Sequence, residues 1–279
     1  VKVDYYSGAS GLELIFRRVS MRKFFKPSIL AACLAFSVPA QAFQPLVTDD
    51  TGTQGTAGNQ LEIAWVHDSD KATGGGTTRT DSVPLVYTRG LTDSVDLSIG
   101  LPWVRSNASG QYESGSGNPS LGLKWRFFEQ EGGWSMALKT EVGFAVSSGK
   151  QVNGVGDHAT TYDLSLILQH GTSFGDVLIN AGYGQFNDNN VAGTDASTFH
   201  FSVAPVWRLT DKTLLALDVG LDHENPEVGA GDTSHYVLLG LVHSPNEDFD
   251  LAVGLQKTFS VPGSDSVWMA TAGVTWRFR

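Results

Sequence analysis

His200 and Ser202 stand two residues apart in one apolar stretch. A general base beside a hydroxyl is the pairing that nucleophilic hydrolysis uses when a third group orients the imidazole. On a β-strand that spacing puts both side chains on one face. Phe199 and Phe201 take the other face, and no Asn or Asp can be placed beside His200 from the sequence. His67, His158 and His223 lie in or near loops without metal-ligand spacing. No phosphate loop or cofactor motif accompanies them, so the sequence implies no cofactor and no metal, and catalysis is not the favoured reading.

A larger set of charged residues alternates with apolar ones. Lys124 and Arg126 share one run, and Lys139 and Glu141 share the next, joined by a short turn. They should form a basic cluster with one acidic partner on one wall. Asp163 follows, and Asp218, Asp222 and Asp250 lie on later runs, where they should make an acidic wall opposite. Such a transverse field is one way a pore orients polar solutes. The competing reading is a charge network that keeps a narrow lumen packed.

Ahead of these runs, Thr48, Asp49, Asp50, Thr51 and Thr53 make an oxygen-rich stretch broken by Gly52 and Gly55, with Gln54 between them. A calcium loop needs more ligands at regular spacing. A hydrogen-bonded turn, or an anchor onto cationic residues such as Lys124, Arg126 and Lys139, fits better.

The elements that must position these residues are strands. From Asn59 onward the chain repeats one unit, about ten residues of alternating character and then a connection. Strand cores read at Gln60–His67, Ser82–Arg89, Val95–Arg105, Pro119–Phe128, Trp134–Val146 and Thr161–His170. Six more read at Asp176–Phe186, Thr198–Arg208, Thr213–His223, His235–His243, Phe249–Phe259 and Val267–Phe278. Long polar connections such as Asp68–Asp81 and Glu224–Ser234 alternate with tight turns such as Leu91–Ser94 and Leu209–Lys212. This pattern predicts an all-β, antiparallel up-and-down transmembrane barrel of about twelve strands, with long loops outside and short turns in the periplasm. Apolar series such as Leu121, Leu123, Trp125 and Phe127 read as lipid-facing. Run His235–His243 is apolar on both faces, which leaves its register open. Pro84, Pro102 and Pro205 fall inside strands, where bulges are expected.

The last run carries Trp268, Ala270, Ala272, Val274, Trp276 and Phe278 on one face. Thr271, Gly273, Trp276 and Phe278 resemble the C-terminal assembly signal of bacterial outer-membrane barrels, except that Arg279 follows the usual terminal aromatic. The opening stretch Leu46, Thr48, Asp49, Asp50, Gly52, Thr53, Gln54 and Gly55, followed by Gln60, Leu61 and Glu62, resembles the bacterial family named for a meta-pathway of phenol degradation. That resemblance implies an outer-membrane barrel engaged in transport, and the family's name implies aromatic catabolism rather than a reaction.

The front of the chain reads as processing. Residues 1–20 look like upstream sequence included by too early a start. Met21 opens a charged region, Ser28–Val38 is apolar, and Ala40-Gln41-Ala42 is an A-x-A cleavage site, so 21–42 reads as a signal peptide. A lipoprotein box at Leu30-Ala31-Ala32-Cys33 competes with it. Residues 43–58 would form a periplasmic or lumenal segment and 59–279 the barrel. Beyond Ala42 the chain keeps 13 of its 19 basic and 27 of its 29 acidic residues, a formal charge of −14. Such a body argues against nucleic acid. The expected partners are outer-membrane lipid, the barrel-assembly machinery and a small-molecule solute. The favoured reading is a non-enzymatic outer-membrane channel for passive uptake of small or aromatic compounds through a charged lumen. A closed structural or interaction barrel comes second and an outer-membrane lipid hydrolase third. N-terminal sequencing of the membrane-embedded protein should start at Phe43; a lipidated Cys33 would overturn that boundary.

Overall fold

The computed structural model describes residues 45–108, 111–131, 133–147, 149–150, 154–187 and 196–279. The expected signal peptide, Cys33 and the Ala42–Phe43 boundary lie outside the described residues. The ladder begins with β1 (Asn59–Ala72), β2 (Thr77–Val83), β3 (Leu85–Thr92), β4 (Val95–Gly100) and β5 (Trp103–Ala108). It continues through β6 (Gln111–Ser116), β7 (Ser120–Glu129), β8 (Trp134–Gly143), β9 (Thr160–Thr172) and β10 (Gly175–Asn187). The remainder is β11 (Ala196–Thr210), β12 (Thr213–Pro226), β13 (Asp232–Asn246), β14 (Phe249–Phe259) and β15 (Ser264–Phe278).

These fifteen segments make twelve crossings. β2 and β3 are parted by Pro84, β4 and β5 by Leu101-Pro102, and β6 and β7 by residues 117–119, which end in Pro119. Proline has no N–H to give, so the ladder stops there while the chain keeps its direction. Bonds from Leu101 N to Leu85 O (2.8 Å) and from Gly117 N to Pro102 O (2.9 Å) carry the wall past two of the breaks. Pro205 behaves differently: Val203↔Val219 and Val206↔Ala216 keep one register on either side of it. It leaves a gap in the ladder and no bulge.

All the pairings are antiparallel, and β15 closes onto β1 from Asn59↔Phe278 to Ala72↔Ser264. Closure satisfies the backbone groups that a bilayer cannot. Among the described residues β6 pairs with β5 alone, and Lys150 and Val155 lie against it at Ser116 and Gly115. There Asn118 Nδ2 donates to Phe144 O and Asp157 O, while its Oδ1 accepts the Asp157 amide.

One end of the barrel carries the tight turns, such as residues 93–94, 173–174 and 211–212. At the other end the strands run further than their hydropathy foretells. β1 and β2 extend through most of the connection expected at Asp68–Asp81 and leave only residues 73–76 as the tip, where Gly74, Gly75 and Gly76 take φ of 86°, 105° and 95°. Only glycine adopts that region readily. β12 and β13 likewise leave 227–231 of the expected Glu224–Ser234.

Period two sorts the side chains. Ile99, Leu121, Leu123, Trp125, Leu239, Leu251 and Val253 are exposed on the outer face, where lipid would cover them. β13 resolves its ambiguity by turning Tyr236, Leu238 and Val242 inward and Val237, Leu239 and Leu241 outward. Tyr236 and Leu238 join Leu178, Ala204, Val206 and Ala216 around Leu46. One wall of the lumen is therefore an apolar core, which the charge pattern alone does not foretell.

Phe278 faces Asn59 across the seam, and its ring lies 4.5 Å from that of Trp276. Arg279 is outside the ladder and exposed. Deleting Arg279 should leave heat-modifiable barrel on a gel, and Phe278→Ser should reduce it. Equal loss from both changes would sink the assignment of the seam to Phe278.

Candidate functional site

Residues 45–56 form no ladder with the wall, and Ala57 and Gly58 exchange backbone bonds with Gly90 of β3, so the stretch runs inside the barrel from the apolar core to the turn end. Pro45 and Leu46 are buried at the inner end. The wall makes room for them with two glycines that face each other, Gly240 on β13 and Gly254 on β14. A Cβ on either would come within 2.8 Å of the Pro45 ring. Strand glycines of this kind mark a close approach of another backbone.

The next residues are held by Asp218 of β12, which is wholly buried. Its Oδ2 accepts the amides of Val47 and Thr48, both at 2.8 Å. Its Oδ1 accepts the Thr48 hydroxyl at 2.7 Å and the Tyr236 hydroxyl at 3.0 Å. A carboxylate buried without a cation needs this many donors. Placed on an acidic wall by sequence, Asp218 is in fact spent on the segment and does not face an open pore.

The opposite wall answers Asp49. Lys139 Nζ donates to its Oδ2 at 2.7 Å and Lys124 Nζ to its Oδ1 at 3.0 Å. The two lysines are cross-strand partners on β7 and β8. Asp49 is 4% exposed and Lys139 6%, so this is a buried ion pair with hydrogen bonds at both oxygens. Lys124 also donates to Asp50 O and Gly52 O and lies 3.6 Å from Asp50 Oδ1. Asn180, its amide oriented by the pairing, accepts the Asp49 amide at 2.6 Å and donates to the Asp49 carbonyl at 3.1 Å.

Nearer the turn end, Thr51 bonds Gln169 and Ser135, and the Gln54 amide donates to both oxygens of Asp96. Thr56 gives its amide and hydroxyl to Asp93 Oδ1. That hydroxyl, then that amide, hold the Asp93 carboxyl below its ordinary range. The contact therefore strengthens the fold at neutral pH and is lost as pH falls through the lowered value. Gly90 presses on the segment so closely that a Cβ there would overlap Gly55 O, at 1.8 Å. Between the segment and the walls remains a cavity of about 310 Å³, lined by Asp49, Lys124, Lys139, Glu62, Ser98 and Thr275 among others.

Comparison with known proteins bears on the family and the barrel fold. Residues 36–278 match the family described as "Putative MetA-pathway of phenol degradation". The chain belongs to that family. An outer membrane channel from Pseudomonas putida F1 has a similar fold, with a TM-score of 0.68 at 13% identity, over 82% of this chain and 98% of that one. The NanC porin gives 0.55 at 10% identity over 77% and 98%. The β domain of the Bordetella autotransporter BrkA gives 0.52 at 10% over 79% and 99%. A channel, a porin and an autotransporter share this architecture, so the likeness speaks for the outer-membrane barrel fold alone. No curated protein matches the chain in sequence.

Within this family member the remaining sequence candidates scatter. Arg126 does not join Asp49; it donates to Asp93 O at 3.0 Å and lies 3.4 Å from Glu129. Asp250 pairs with Arg277 and accepts the Ser244 hydroxyl. Glu141 and Asp163 are cross-strand neighbours on β8 and β9. Thr271 and Gly273 face inward on β15, while Trp276 points out to lipid. His200 gains the orienter that the sequence withheld: the β11–β12 register sets Asp222 opposite it, with Nδ1 and Oδ1 2.7 Å apart. Its Nε2 lies 3.1 Å from Ser202 Oγ. Ser202 is wholly buried, however, so no substrate reaches that hydroxyl.

Asn180, Gln169, Tyr236 and the glycine pair are the site residues that sequence reasoning overlooked, and Asp218 was placed in the lumen without its partner segment. Only Gly240 and Gly254, both in the inward series, carried a readable signal. Gly240→Leu should unseat Pro45 and Leu46 while sparing the barrel, since the side chain needs their space. Native-state proteolysis of folded barrel should then cleave within residues 45–58 faster than in the parent protein. Equal protection would show that the glycine seat does not hold the segment.

Proposed function

We propose that the protein is an outer-membrane channel for passive movement of small polar solutes, narrowed by its own N-terminal segment. The observation that carries this reading is the way the segment is held. It is fixed by side-chain clamps and not by ladder pairing, and it leaves a polar cavity beside it. A strand pairing would seal the space permanently; a tether on ion pairs fills it reversibly. The turn end, where the segment leaves the barrel, faces the periplasm on this reading, and the longer strands face outward. The fold shared with an outer membrane channel and a porin is one that transport uses.

Outer-membrane lipid then contacts the apolar exterior, and assembly proceeds by the bacterial barrel machinery acting on β15. Uptake of aromatic compounds is suggested by the family's name. The cavity itself offers hydrogen bonds and charge, with no aromatic side chain among its lining residues, so polarity is the property it selects. The second reading, a closed barrel, draws on Asp218, whose four hydrogen bonds to the segment and Tyr236 make a firm anchor. Hydrolysis has less support, because Ser202 is inaccessible.

Removing Phe43–Gly55 behind an intact leader should raise single-channel conductance in planar bilayers several-fold. Asp49→Asn with Asp50→Asn should raise it partway. A truncated barrel that passes no more current than the parent would favour the closed barrel.

A further inference from the structure

The ion pair at the centre of the lumen has the form of a ligand in its site. Asp49 presents one carboxylate oxygen to each of two ammonium groups, at 3.0 and 2.7 Å. Both ammoniums belong to the wall, on paired strands. The carboxylate belongs to a segment that no ladder holds. Asp49, Lys124 and Lys139 all line the cavity, so a solute in that space lies beside the pair.

We propose that Lys124 and Lys139 form a binding site for small carboxylate solutes, and that Asp49 is a resident occupant which such a solute displaces. This rests on the channel reading above. The exchange conserves charge: one carboxylate leaves the lysines and another takes its place. Neither ammonium is stranded in a medium where an unpaired charge is costly. Two donors on two oxygens also favour a carboxylate over a halide, which offers a single point of contact. The tether gives Asp49 a high effective concentration, so an external carboxylate competes only when abundant. Entry of solute and loosening of the segment are thereby one event. Asp218 keeps hold of Val47 and Thr48 while Asp49 is released, which returns the occupant when the solute has gone.

The test uses the full-length protein with acetate as probe. Asp49→Ala leaves both lysines in place and empties the site. In planar bilayers its conductance should exceed that of the parent in chloride. Acetate added at constant ionic strength should lower it toward the parent level, and bromide should not. In detergent, acetate should raise the apparent Tm of Asp49→Ala by several degrees. Adding Lys124→Gln and Lys139→Gln should abolish both responses. Asp49→Asn, which keeps the side chain's size, should respond less than Asp49→Ala. The proposal fails if acetate and bromide act alike on Asp49→Ala in both measurements, or if the triple variant still responds to acetate. An acetate-dependent Tm in a protein that passes no current in any variant would fault the channel reading and leave the carboxylate site standing.

Discussion

A charge inside a narrow barrel has little water to solvate it, so each one must be met by a partner of the right kind. Lys139 and Asp218 are both nearly inaccessible, on different walls and of opposite sign. One short segment meets both. A side-chain carboxylate goes to the lysine, and two backbone amides go to the aspartate. Breaking a buried pair of this sort by removing one partner costs about 3–5 kcal/mol. With both clamps at consecutive residues, 47 to 49, the segment has only one place to sit.

The remaining contacts refine that placement. Leu46 adds apolar burial against Leu178 and Leu238, which favours the inner end in the barrel at any pH. Thr51, Gln54 and Thr56 tie the outer end to Gln169, Asp96 and Asp93. The segment is thus fastened along its length to β4, β9 and β12 and the β3–β4 turn. Hydrogen bonds to side chains can be exchanged one at a time, and a ladder cannot.

Much of the architecture was legible because a bilayer enforces period two. The twelve crossings and their inward charges follow from Trp125 and Leu123 alternating with Lys124 and Arg126. Legibility ended where the partner of a side chain was backbone or distant. Asp218 looked like one of several lumenal acids because nothing in its own strand shows that amides 170 positions away will claim it. Asp222 reached His200 through strand register, a tertiary fact. His235–His243 was ambiguous because it is apolar on both faces for two reasons: lipid on one side and a lumenal core on the other. The strand ends at 68–81 misled because polar residues above the membrane need no apolar face to stay paired.

The segment's position also bears on how the molecule comes together. Thr48 is bound to Asp218, 170 residues later in the chain, and Leu46 packs on Leu238. The seat therefore does not exist until β12 and β13 are in place. β1, which directly follows the segment, then meets β15 to shut the wall. Closure and seating join the most distant parts of the sequence, the contacts whose loop entropy makes folding slow. The barrel is in effect wrapped around its own beginning. A lesion in residues 45–49 is accordingly a lesion in the last stage of assembly as well as in the finished lumen.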